Sequence, residues 1–305
     1  MRRSVTRLKN MSGDRQDGSE LPGFETLMPG PTGRPLRDFA EPAPLKKHGP
    51  ARIIALCNQK GGVGKTTTTI SLGAALAEYG RKVLVVDFDP QGALSAGLGM
   101  PSHDVVTIYD LLLGRETDPR KAVMATNTPN LHLIPANIDL SAAEVHLVNE
   151  VAREQILARV LRPLLDDYDV ILVDCQPSLG LLTVNALTAA HGVLIPLECE
   201  YFALRGVALL VETIEKVKDR LNPALRLDGI LATMYDARTL HSREVLERVV
   251  ETFGDQVFET VIGRTVKFPD ATVAGAPITS YAPDHPAAAA YRQLARELIA
   301  RGQVA

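Results

Sequence analysis

The junction at residues 52–80 restricts the fold most. An apolar run, RIIALCN, leads straight into the glycine-rich stretch NQKGGVGKTTT, and then into TTTTISLGAALAEYG, whose apolar residues recur at helical spacing. This is a strand, a tight turn and a helix, with Gly80 as the C-cap signal. The alternation continues downstream. KVLVVDFD, LHLIPA, DVILVDC, GVLIPLE and LRLDGILATMY read as strands, with FETVIG as a short one. LLTVNALTAA, LRGVALLVETIEKVKDRL, SREVLERVVETFG and PAAAAYRQLARELIARG read as helices, and two more are expected at about 140–149 and 152–166. Strands that are apolar throughout are buried on both faces. The expected fold class is therefore α/β: a doubly wound, mostly parallel sheet with helices on both faces. Ligands bind such sheets at the carboxyl ends of the strands.

The glycine-rich stretch sits at such an end. A phosphate loop is written G-x-x-x-x-G-K-[ST]. Counting back from Gly64-Lys65-Thr66, the first glycine would be residue 59, which is Gln59, and beside it stands a second lysine, Lys60. The rest fits. Gly61, Gly62 and Gly64 let the backbone turn tightly around Val63 and aim successive N–H groups at anionic oxygens. The following helix adds the positive end of its dipole. Lys65 is expected on the β- and γ-phosphates, the Thr66 hydroxyl on Mg²⁺, and Thr67 on the α-phosphate. Asp174, at the end of DVILVDC, is placed as the outer partner of Mg²⁺ through water. Asp89, just past the second strand, is placed to orient the attacking water, and Asp87 is a structural or Mg²⁺-side group.

Residues 1–50 differ from the remainder. GPTGRPL and EPAPLKKHGP are rich in Pro and Gly, so 1–50 reads as a disordered tail and 51–305 as the folded domain. The opening MRRSVTRLKN is basic but lacks the apolar stretch of a signal peptide, and reads as a solvated arm or as sequence upstream of a start at Met11, with a basic arm that helps hold DNA or a membrane as the alternative. No run approaches 18 apolar residues, so no bilayer span is expected. Cys57, Cys175 and Cys199 are odd in number and form no C-x-x-C, which suits buried thiols in a reducing cytoplasm. The net charge of −3 excludes a wholly basic DNA coat and leaves room for a local basic patch.

NQKGGVGKTTT, VVDFDPQGALSAGLG, VDCQPSLGLLTVNAL, ECEYFALRGV and TMYDART together resemble the ParA/Soj family of chromosome- and plasmid-partitioning ATPases, from about Arg52 to the C-terminus. The resemblance explains Lys60. The family's deviant Walker A motif is K-G-G-x-G-K-[ST], here Lys60 to Thr66, and implies an ATP-dependent homodimer that sandwiches two ATP molecules. Lys60 would cross to the phosphates held by the other subunit, so that the γ-phosphate controls assembly. Lys65, the water-positioning Asp89 and the Walker B Asp174 complete the implied catalytic set, with ATP and Mg²⁺ as cofactors. The resemblance further implies non-specific binding of double-stranded DNA by the ATP dimer through Arg238 and Lys267, a ParB-like activating protein, and slow turnover in the cytoplasm at the nucleoid. Lys216, Lys218, Arg220, Arg243, Arg248 and Arg264 are weaker candidates for the DNA face and read mostly as solvated positions.

Two departures from the family pattern stand out. Gln176 replaces the first proline of D-x-P-P-S, which implies a more flexible loop, and IGRTVKFPDATVAGAP departs from the family's I-P-R-N-V-R-L-S-E-A-P-S. Both imply a divergent paralogue. The alternative is a MinD-like positioning ATPase, but the apolar residues of the last helix, Tyr291, Leu294, Ala295, Leu298 and Ile299, read as core rather than as a lipid-binding face, so no stable membrane association is expected. A nitrogenase-iron-protein relative needs a second cluster-ligating cysteine that the sequence does not supply beside Cys175.

Overall fold

The computed structural model describes residues 29–35, 37–200 and 203–305. In chain order its elements are β1 (Arg52–Leu56), α1 (Lys65–Glu78), β2 (Val83–Phe88), α2 (Ala93–Gly97), α3 (Ile108–Leu112), β3 (Met124–Ala125), β4 (Leu131–Ile134), α4 (Ala143–Leu147) and α5 (Ile156–Leu161). They continue with β5 (Val170–Cys175), α6 (Leu181–Ala189), β6 (Gly192–Glu198), α7 (Ala203–Arg220), β7 (Arg226–Thr233), α8 (Leu240–Phe253), α9 (Lys267–Val273), α10 (Ile278–Tyr281) and α11 (Pro286–Ala300).

The strands form one seven-stranded sheet in the order β3-β4-β2-β5-β1-β6-β7. Every pairing is parallel except that of the short edge strand β3 with β4. From β1 the chain winds toward one edge, returns to β5, and then crosses to β6 and β7. The reversal opens a crevice at the carboxyl ends of β1 and β5. Alternate strand residues feed two cores, as the pleat dictates. Ile53, Ala55 and Cys57 face a layer that includes α3, α5, α6, α7 and α8. Ile54 and Leu56 face the opposite layer, which contains α1, α2 and α11.

The last helix is spent on that second core. Tyr291, Leu294, Ala295 and Leu298 are buried, and the Tyr291 hydroxyl lies 3.1 Å from Thr68 Oγ1 on α1. Among the described residues no helix is long and apolar enough to cross a membrane.

Three sequence expectations are corrected. First, the helices expected at about 140–149 and 152–166 are broken. Only α4 and α5 are α-helical, flanked by 3₁₀ turns, and Ala152 takes a left-handed φ of 53° between them. Asn185 ends the break, accepting from Leu157 N (3.1 Å) and donating to Arg153 O (2.9 Å). Second, FETVIG is extended but is not a full strand. Phe258 N and Ile262 N donate to Ile230 and Ala232 of β7, while the intervening Glu259 N and Thr260 N donate to the buried Glu297 carboxylate on α11 (2.8 and 2.9 Å). A side chain takes the place of a ladder partner. Third, the segment before residue 51 is not uniformly a tail. Residues 1–28 lie outside the described residues, but the stretch from 37 to 50 is a strap held against the domain. Gln293 donates to Arg37 O (2.8 Å), Arg81 to Ala43 O (3.0 Å), and the Asp169 carboxylate accepts from Gly49 N (2.9 Å) beside His48 Nδ1 (2.7 Å).

Candidate nucleotide site

The loop between β1 and α1 is shaped by its glycines. Gly62 and Gly64 have φ of 76° and 86°, which side-chain-bearing residues rarely adopt, and Gly64 is the N-cap of α1. Buried Val63 anchors the turn, its carbonyl accepting from Thr233 Oγ1 at the end of β7 (2.8 Å). Gln59 is fixed as well, donating to Gly206 O on α7 (2.9 Å). The loop gives up a glycine at position 59 and gains a tether to a neighbouring helix.

Lys65 opens α1 and is buried, 7% exposed, with its ammonium 3.2 Å from Lys60 O. Burial lowers its pKa, against the opposing pull of Asp174. Thr66 Oγ1 donates to Asp174 Oδ2 (2.7 Å), and Thr69 Oγ1 lies 3.3 Å from Asp174 Oδ1. Asp174 and Asp87 are register partners on β5 and β2. Burial and the proximity of Asp87 push Asp174 up to about 7. Burial pushes Asp87 up to about 6, although Asp87 Oδ2 accepts from Ser95 N (2.9 Å) and Ser95 Oγ (2.7 Å). Asp87 thus ties β2 to the start of α2, and Asp174 is the carboxylate that faces the loop. A desolvated ammonium and a desolvated carboxylate beside a hydroxyl form a donor set that suits a phosphate chain with Mg²⁺.

Asp89 lies past the end of β2, partly exposed, with its Oδ1 accepting from Gln91 N (3.0 Å). Thr67 is on the first turn of α1 and lines a cavity of about 320 Å³ with Gly64, Met234, Arg264, Phe268 and Tyr291. Lys60 stands on the exposed rim. Its Nζ binds Glu198 Oε2 (3.0 Å) and Glu200 Oε2 (2.5 Å) of its own chain. Partial burial disfavours the ammonium, but the bonds to Glu200 and Glu198 outweigh it and raise the Lys60 pKa.

The Gln176 departure has a structural answer. Gln176 Nε2 lies 3.3 Å from Glu144 Oε1, which also accepts from Leu182 N (3.2 Å). The tie to α4 stands in for a proline's rigidity. Gly180 allows it, because a Cβ there would lie 2.3 Å from the same oxygen. Arg238 and Lys267 each pair with an acid of their own segment. Arg238 follows β7 and pairs with Asp236 (2.8 Å), while Lys267 begins α9 and pairs with Asp270 (3.3 Å).

Comparison with known proteins agrees with this geometry. A family model described as an AAA domain matches residues 51–227. The chromosome-partitioning ATPase Soj of Treponema pallidum is 50% identical over 82% of this chain and 98% of its own length. The chain belongs to the ParA/Soj family of partitioning ATPases. The uncharacterized protein Rv1708 of Mycobacterium tuberculosis is 62% identical over 89% of this chain and 86% of its own. Among solved structures, cobyrinic acid a,c-diamide synthase from Mycobacterium smegmatis with bound ADP and magnesium matches with a TM-score of 0.73 at 43% identity, covering 83% of this chain and 96% of that one. Membership makes the chain a nucleotide-binding ATPase with ATP and Mg²⁺ as its cofactors.

Sequence reasoning missed several residues that the fold brings to this site. Glu198 and Glu200 hold Lys60, Thr233 holds Val63, and Thr69 reaches Asp174. The signal for the first pair was present as two acids, ECE, at the carboxyl end of an otherwise apolar strand.

Proposed function

We propose that the chain is an ATP-dependent dimerising switch that binds double-stranded DNA without sequence preference as an ATP dimer and acts in chromosome or plasmid partitioning. The observation that carries this reading is the pair of lysines on one loop. Lys65 is turned inward and desolvated, whereas the Lys60 ammonium is on the rim, paired with the carboxylates of Glu198 and Glu200 of its own chain. An inward cation suits the bound phosphates, and an outward one suits the phosphates of a facing subunit.

In this reading the N–H groups of residues 60–66 and the Lys65 ammonium hold the β- and γ-phosphates, and Thr67 meets the α-phosphate. The purine and ribose occupy the cavity beside Arg264 and Phe268. Thr66 and Asp174 would hold Mg²⁺, which would supply positive charge beside the phosphate oxygens. Asp89 orients the attacking water for in-line displacement, giving ADP and phosphate. Lys60 enters the partner's site and adds positive charge where the transition state needs it. Assembly therefore depends on the γ-phosphate.

Arg238 and Lys267, doubled by the two-fold, contact DNA phosphates. Turnover is slow and is stimulated by a ParB-like protein, in the cytoplasm at the nucleoid. The burial of the α11 apolar stripe against α1 favours this over a lipid-binding role for that helix.

The test is fluorescence anisotropy of a random-sequence duplex with ATP, ADP or no nucleotide, over a salt titration. Tight, salt-sensitive binding with ATP alone is expected. Equal binding in all three states, or none, overturns the DNA switch.

A further inference from the structure

We propose that Glu198 is a positioning residue that latches Lys60 to its own subunit and so sets the threshold for dimerisation. The inference rests on the reading of Lys60 as the lysine that crosses to the partner.

The latch is built on one strand end. The Lys60 backbone is fixed, because Lys60 N donates to Asn58 Oδ1 (2.9 Å) and Asn58 Nδ2 donates to Pro196 O on β6 (2.7 Å). Two residues further along β6, Glu198 presents its Oε2 to Lys60 Nζ at 3.0 Å. Glu200 adds a second carboxylate at 2.5 Å. With its backbone tied to β6, Lys60 changes partners by side-chain rotation alone, without unfolding the loop.

Glu198 is also placed for repeated release. Its other oxygen, Oε1, accepts from Arg264 Nη2 at 3.2 Å. The Glu198 side chain is 12% exposed, so a lone carboxylate there would lose hydration without compensation. Arg264 supplies that compensation after Lys60 has left. Glu200, at 51% exposed, is compensated by water. Departure of Lys60 therefore strands neither acid. The contact is also weak enough to break, since partly exposed ion pairs contribute little. A triphosphate on a facing subunit offers more charge than either carboxylate. The latch lowers the population of subunits with a free Lys60, and the apparent dimer affinity falls with it.

The experiment measures the dimer dissociation constant of the full chain by sedimentation velocity with the slowly hydrolysed analogue ATPγS and Mg²⁺. The chains compared are wild type, Glu198→Gln, Glu200→Gln, Lys60→Ala and the double variant Lys60→Ala/Glu198→Gln. Glu198→Gln keeps shape and removes the charge. It should tighten the dimer about fourfold to twenty-fivefold, because each partly exposed pair shifts its own equilibrium by about two- to fivefold and a dimer frees two lysines. Glu200→Gln should tighten it less. In the Lys60→Ala background, where the dimer is lost, Glu198→Gln should restore none of it, whereas a substitution that strengthened the interface without acting through Lys60 would restore part. If Lys60→Ala loses the dimer while Glu198→Gln leaves the wild-type constant unchanged or weakens it, the latch is wrong and the crossing lysine stands. If Lys60→Ala dimerises like wild type, the crossing lysine is wrong and the latch falls with it.

Discussion

Lys65 and Lys60 lie five residues apart on one loop, in halves of the site built on opposite terms. Lys65, Thr69 and Asp174 are buried and Thr66 is half-buried, all on strand ends or the first turns of α1. Lys60 shares a partly exposed rim with Glu198, Glu200 and Arg264. In the buried half, moving one charged group strands another without solvent, which is costly. That half must receive its ligand in place. On the rim a broken Lys60 pair is compensated at little cost, Glu200 by water and Glu198 by Arg264. Such a region suits contacts that form and break in every cycle. The difference separates binding from switching within one continuous loop.

The largest expected effect tests the buried half. Lys65→Ala removes a desolvated cation beside Asp174, and nucleotide affinity should fall by at least about 100-fold, from the typical cost of leaving a buried charge unpaired. Isothermal titration with ATP and Mg²⁺ reads this directly, and affinity within threefold of wild type would break the comparison. Asp89 stands past the end of β2, partly exposed. Asp89→Ala should lower the hydrolysis rate by about 100-fold, within the usual range for a positioned base, while ATP affinity changes only a few-fold. Phosphate release measured beside equilibrium binding separates the two, and a parallel loss of both would place Asp89 in binding instead.

A smaller effect is expected at the other end of the sheet, where Asp169 pins the strap. Its carboxylate accepts from Lys82 N (2.7 Å), Gly49 N (2.9 Å) and His48 Nδ1 (2.7 Å). Burial opposes ionisation, but these bonds, led by that from Lys82, hold the Asp169 pKa below the ordinary carboxylate value. A depressed carboxyl pKa contributes stability above the unfolded value of about 4, and that contribution is lost as pH falls through the folded value. Asp169→Asn should cost about 1–3 kcal/mol at pH 7 and less at pH 3, seen as converging urea midpoints. A constant difference between the two pH values would show that the ionised carboxylate is not what holds the strap.

How legible each region was follows from the range of its interactions. The continuously apolar strands and the glycine-rich loop use neighbours in sequence, so β1, β2 and β5 could be read directly, and with them where Lys65, Thr66 and Asp174 stand in the fold. The strap could not. Its Pro- and Gly-rich composition satisfies the rule for disorder, and its fixation comes from Arg81, Asp169 and Gln293, far along the chain. FETVIG failed for a similar reason, because a buried glutamate on α11 accepts from Glu259 N and Thr260 N and interrupts the pairing with β7. The carboxylates that hold Lys60 were visible as ECE, but nothing local says which cation they meet.

The smallest effect is expected on the outermost cation. Arg238 is 89% exposed and already forms a fork with the Asp236 carboxylate, through Nε at 2.9 Å and Nη2 at 2.8 Å. Hydrogen bonds from Arg238 hold Asp236 well below the usual carboxylate range, so the guanidinium is pre-oriented but partly neutralised. A DNA phosphate must share it with Asp236. One contact per subunit makes two per dimer, and Arg238→Ala should lower the slope of log affinity against log salt by about 2. The loss in affinity at fixed salt should be only a few-fold, because Asp236 is unmasked in the same step. Asp236→Asn separates the two contributions: if Arg238 is the contact, freeing it should tighten DNA binding in the ATP state. An unchanged salt slope in Arg238→Ala, with dimerisation intact, would move the DNA face elsewhere on the molecule and leave the buried half of the site untouched.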